Sequence, residues 1–94
     1  MKPRVTGVHF TASPTLDASD GRLGWVRIEL DGWLEIDGIV LRRTSRGELR
    51  VCFPSKVDGS GIRRYFARPL TDEARAAIQE QVINWLQRER RLVS

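Results

Sequence analysis

The residues of this chain best equipped for chemistry are cationic. Lys56, Arg63, Arg64 and Arg68 stand around two prolines, in Phe53-Pro54-Ser55-Lys56 and in Arg63-Arg64-Tyr65-Phe66-Ala67-Arg68-Pro69. Just upstream, Arg42, Arg43 and Arg46 load the expected turn Arg42-Arg43-Thr44-Ser45-Arg46-Gly47, and Arg50 follows in Leu49-Arg50-Val51-Cys52-Phe53. A guanidinium presents a planar fork that suits bidentate contact with a phosphate or a guanine edge better than an ammonium does. These eight side chains are therefore expected to converge on one water-facing plane and to contact phosphate. Tyr65 or Phe66 offers a stacking face, with Phe66 the one expected to be buried.

Catalysis finds no comparable arrangement. His9 is the one histidine, flanked by Val8 and Phe10 with no signalled partner, so a near-neutral proton shuttle lacks its second group. Glu35 and Asp37 sit two apart, a spacing that places both on one strand face, where solvated surface acids are the simpler reading. The serines lie in loops without a nucleophile elbow. Residues 57–61, Val-Asp-Gly-Ser-Gly, lack the glycine spacing and the Gly-Lys-Ser/Thr ending of a phosphate-binding loop, and read as a flexible connection. One cysteine, Cys52, and one histidine are too few for a Cys/His metal site or an internal disulfide. The expectation is a non-enzyme without metal, cofactor or small-molecule substrate.

The apolar periods say which elements must hold the cations. Residues 5–10 read as a first strand with a bulge at Gly7, and residues 11–21, rich in Ser, Thr, Asp and Pro, as a mobile loop. Val26, Ile28 and Leu30 alternate with Arg27, Glu29 and Asp31, a half-buried strand. A two-residue turn at Asp31-Gly32 would set Ile28 against Glu35. A three-residue connection, Asp31-Gly32-Trp33, pairs Leu30 with Leu34 and Ile28 with Ile36, so patterning selects the longer one with Gly32 left-handed. Trp33 is then at a hairpin tip, where folding back over the sheet edge is the expected fate. Ile39, Val40 and Leu41 are consecutive and apolar, which predicts burial on both faces, one against a helix and the other against a second subunit. Leu49, Val51 and Phe53 point one way, Arg50 and Cys52 the other, and Cys52 serves packing rather than reactivity.

A helix follows Pro69. Thr71 is its expected N-cap, Asp72 and Glu73 suit the positive end of its dipole, and Ala74, Ile78, Val82, Trp85 and Leu86 recur at spacings of three and four as one apolar stripe. Arg88, Arg90 and Arg91 suit its negative end, and residues 92–94 are expected to fray. These elements predict an α+β fold, a curved, mainly antiparallel sheet of four to five strands with one C-terminal helix packed on it.

The order of these elements resembles the stage V sporulation protein G (SpoVG) family, small bacterial proteins. The resemblance rests on Phe53-Pro54-Ser55-Lys56, on Arg68-Pro69-Leu70, on Arg75, Ile78 and Val82 in the helix, and on the paired runs Val26-Arg27-Ile28-Glu29-Leu30-Asp31 and Ile36-Asp37-Gly38-Ile39-Val40-Leu41. It covers residues 23–86. Arg68 stands where the family pattern has histidine, and Arg64-Tyr65-Phe66 replaces an Arg-Asp-Ile-like run. The resemblance implies one SpoVG-like domain over residues 1–94, a homodimer, and a regulator that binds DNA or RNA and influences septation, sporulation or developmental gene expression. Lys56 and Arg68 match or adjoin motif positions; the other cations rest on charge and placement.

Composition is consistent with this. At 94 residues the chain buries a modest share of its surface, so a second copy would enlarge its core. No apolar run approaches a membrane span, and the N-terminal Met1-Lys2-Pro3-Arg4-Val5 does not open a secretory signal, which predicts a cytoplasmic protein. Residues 1–41 hold four basic and six acidic side chains, whereas residues 42–94 hold twelve basic and six acidic, so the positive field belongs to the second half. Solvated arginines without a ligand would share that composition. A second class of function stays open, a dimeric protein-interaction module that presents an edge strand or Trp33 to a division or regulatory partner.

Overall fold

The computed structural model describes residues 2–14 and 21–89. Six strands and one helix follow in order: β1 (Val5–Ala12), β2 (Arg22–Leu30), β3 (Leu34–Arg43), β4 (Leu49–Cys52), β5 (Ser55–Val57), β6 (Arg63–Tyr65) and α1 (Asp72–Arg88). The first four form an antiparallel sheet in the order β1-β2-β3-β4, and β5 pairs with β6 as a separate two-stranded ribbon. The α+β expectation holds, with the sheet at four strands. Val57, the first residue of the expected connection, instead ends strand β5 with Ser55 and Lys56. Thr11 and Ala12 extend β1, and residues 15–20 of the expected loop lie outside the described residues.

Register follows the apolar pattern. Leu30 faces Leu34 and Ile28 faces Ile36, as the three-residue connection requires. The Trp33 amide donates to the Leu30 carbonyl at 2.9 Å, closing a tight turn in which Asp31 and Gly32 both have positive φ (55° and 71°) and Trp33 is the extra residue. Trp33 is 92% exposed and does not fold back, because the turn aims it away from the sheet. Val5 and Gly7 flank the bulge expected in β1. A second bulge answers the run Ile39-Val40-Leu41: Val26 pairs with Ile39 but Ile28 with Ile36, so an additional residue is absorbed at Asp37-Gly38, where Gly38 adopts φ 77°. The bulge resets the phase, putting Ile36, Ile39 and Leu41 on one face and leaving Val40 half-buried on the other.

That face meets α1. Val5, Val26, Ile28, Ile39, Leu41, Val51 and Phe53 pack with Ile78, Val82 and Leu86, and among the described residues no polar side chain is buried. Ala74 and Trp85, expected in the stripe, are half-buried at its flanks. Thr71 caps the helix, its Oγ1 accepting from the Ala74 amide at 3.0 Å. Arg88 stacks over Trp85 at 5.6 Å, while Arg90 and Arg91 and residues 92–94 lie outside the described residues.

The helix spans the sheet and is fastened to both outer strands. Gln81 accepts from the Val5 amide (2.9 Å) and donates to the Pro3 carbonyl (2.8 Å) beside β1. On its other side, Gln79 accepts from the Val51 amide (3.0 Å) and Arg75 donates to the Val51 carbonyl (3.1 Å) on β4. Among the described residues, no helix is long and apolar enough to cross a membrane.

Candidate functional site

Alternation along the strands sorts the cations onto surfaces. Opposite α1, the sheet face carries Trp25, Val40, Arg42, Arg50 and Cys52: Trp25 faces Val40, Val40 faces Cys52, and Arg42 is the cross-strand partner of both Arg22 and Arg50. Arg22 stacks over Trp25 with its guanidinium carbon 5.1 Å from the ring centroid. Arginines directly opposite one another are ordinarily disfavoured in a sheet. Arg42 and Arg43 belong to β3 rather than to the turn where sequence puts them.

Beyond β4 the ribbon folds over to make a cleft. Ser55 faces Tyr65, Lys56 faces Arg64 and Val57 faces Arg63, so Ser55, Arg63 and Tyr65 share one side and Lys56 and Arg64 share the other. The first side closes a cleft of about 470 Å³ against the sheet, lined by Arg42, Arg63, Arg75, Ser55, Tyr65 and Cys52 among others. No carboxylate is among the described residues that line it. Arg63 Nη1 donates to the Ser55 hydroxyl at 2.7 Å, which holds its guanidinium over the cleft. Tyr65 also borders a smaller cleft of about 200 Å³ with Arg68, Pro69, Asp72 and Arg75. The Arg68 guanidinium lies 5.5 Å from the Tyr65 ring centroid.

Of the eight cations singled out from sequence, the fold brings Arg42 and Arg63 into one cleft, sets Arg50 beside Arg42 on the same sheet face, and puts Arg68 on the far side of Tyr65. The single shared plane does not form. Lys56 and Arg64 occupy the opposite side of the ribbon, and Arg64 Nε is bonded to Asp58 Oδ2 at 2.8 Å. Arg43 takes the opposite phase to Arg42, and its Nη1 donates to the Gly47 carbonyl at 3.0 Å. Arg46 is exposed at the turn between β3 and β4. Nor is Phe66 buried: Tyr65 takes the inward position of β6, so Phe66 falls outward and is 73% exposed.

Two members of the site were not predicted. Arg75 reaches the cleft from the first turns of α1; its place beside Ala74 and Ile78, on the flank of the apolar stripe, is the signal for a side chain that meets the sheet edge. Trp25 alternates with the buried Val26 and so had to stand on the wet face. Residues 58–62 are not a loose connection either. Asp58 Oδ1 accepts from the Ser60 amide and hydroxyl and from the Ile62 amide, at 2.9, 2.7 and 3.0 Å. The Ser60 hydroxyl, then Arg64, then the Ile62 amide stabilise its anion and bring its pKa down to about 2.

Among the described residues no three His, Cys, Asp or Glu side chains gather where a metal ion would sit. Compared with known proteins, the chain matches no family model and no curated sequence.

Proposed function

We propose that this protein binds nucleic acid, through the cleft between the sheet and the β5–β6 ribbon, and acts as a regulator of the kind its resemblance implies. The observation that carries this reading is the cleft lining, in which Arg42, Arg63 and Arg75 approach one concavity with no carboxylate among the described residues that line it. The three cations come from separate elements, and two of them, Arg63 on the Ser55 hydroxyl and Arg75 on the Val51 carbonyl, are positioned before any ligand arrives. Preorganised guanidinium groups of this kind suit phosphates spaced along a backbone. Arg50 extends the positive track along the sheet and Arg68 extends it past Tyr65.

The test is fluorescence anisotropy of labelled DNA and RNA across a salt series. If Arg42, Arg50, Arg63 and Arg75 each neutralise a phosphate, log K falls against log salt with a slope of about −3 to −4. Arg63→Ala and Arg50→Ala each make that slope shallower by roughly one, whereas Lys56→Ala, on the far side of the ribbon, changes affinity less than either. A salt-independent curve, or Lys56→Ala as damaging as Arg63→Ala, overturns this interface.

The hairpin tip favours a second reading. Trp33 and Leu34 are 92% and 57% exposed side by side, an apolar pair suited to a protein partner or a second copy. The edge-strand version of that reading is weaker, since both backbone groups of Val51 on β4 are taken by α1. Partners that survive complete nuclease treatment and are lost with Trp33→Ala would place function at the tip.

A further inference from the structure

We infer that the cleft receives an unstacked base of a single strand, with Tyr65 as its stacking platform. This rests on the nucleic-acid reading above and narrows its ligand. A base inside a duplex shows only its edge, and reading that edge takes an element that projects into a groove, a helix or a two-stranded ribbon. Among the described residues neither element is free to do so. The apolar stripe of α1 is spent on the core, and its exposed face carries Glu73 and Glu80, which repel phosphate. The ribbon has three residues per strand, and on its outward side Arg64 is held by Asp58.

The site is instead a hollow. Its volume of about 470 Å³ falls among pockets that enclose small ligands. Tyr65 is 42% exposed and forms part of the wall of both clefts, and Arg68 lies over its ring. A base laid on that ring has Arg42, Arg63 and Arg75 around it for the flanking phosphates. Across β3, Trp25 is the register partner of Val40 in the cleft wall, and with Arg22 stacked on it continues the track onto the sheet face. Aromatic and cationic groups interleaved along an open sheet face are the physical requirement for binding a strand whose bases are splayed out.

Anisotropy titrations of oligo-dT, oligo-U and a duplex of matched phosphate count, on the full chain and on Tyr65→Ala, Tyr65→Phe and Arg63→Ala, test this. The expected result is a single-strand affinity at least about tenfold above the duplex, a loss of about tenfold on single strands in Tyr65→Ala, and near-parental binding in Tyr65→Phe, which keeps the ring. The salt slope of Tyr65→Ala stays that of the parent, because no phosphate contact is removed. Circular dichroism melts confirm that each variant is folded. Duplex bound as tightly as single strands, or single-strand affinity unmoved by Tyr65→Ala while Arg63→Ala lowers it, overturns base insertion and leaves the polyanion reading intact. Failure of every polymer to bind at low salt overturns both.

Discussion

A single carboxylate sets the shape of the ribbon's tip. Asp58 gathers two amides, one hydroxyl and one guanidinium, and these contacts hold its pKa at about 2, below an ordinary value of 3.8. A group whose folded pKa is depressed contributes stability that is fully present above the unfolded value and is lost as pH falls through the folded one. The 58–62 turn is therefore expected to hold its order at neutral pH and to loosen between about pH 4 and pH 2. An NMR titration of the Asp58 carboxyl checks this, and a midpoint near 3.8 would contradict it. Nothing in the run Val-Asp-Gly-Ser-Gly reveals that arrangement, because residue type alone does not say which turn an aspartate will close. Aromatic placement divides similarly. Tyr65 and Phe66 are adjacent and alike in sequence, and only the phase of a three-residue strand, fixed by its pairing with Ser55, decides which faces the cleft.

Elements were more legible than the contacts between them. The register of β2 with β3 follows from Ile28 and Leu30 seeking apolar partners, and the helix start from Thr71 followed by two acids. The bulge at Asp37-Gly38 was hidden because three successive apolar residues also fit a strand covered on both faces, and only its partner strand reveals the inserted residue. The fastening of α1 was hidden as well. Gln79 and Gln81 look like surface residues of an amphipathic helix, yet each accepts from a backbone amide of an outer strand. Replacing either by Ala leaves a part-buried amide unpaired, and we expect a loss of about 1–2 kcal/mol for each. Urea denaturation reads this as a lower midpoint at unchanged slope. Gln81→Ala is expected to cost more, since it also releases the Pro3 carbonyl.

At the scale of the whole molecule, charge is segregated by topology rather than by stretch of sequence. Of the eight cations expected to act together, Arg43, Lys56 and Arg64 are turned away from the cleft by strand alternation and Arg46 lies in a turn, while an arginine from the helix takes a place among those that remain. Counting charges along the chain locates the basic half but cannot assign faces, because neighbours in a strand point to opposite sides. Saturation with a polyanion that binds the folded state alone should raise the melting temperature; at a hundredfold excess over Kd the stabilisation is about 2.7 kcal/mol. A thermal melt with and without oligonucleotide checks this, and Arg63→Ala is expected to shrink the shift. Gln79 and Gln81 carry one last implication. Fibrils grow when a foreign chain adds its backbone, rung by rung, along an unguarded margin. Here each margin of the sheet is already occupied at one rung by the protein's own side chains, which interrupts the template from which runaway polymerisation would start.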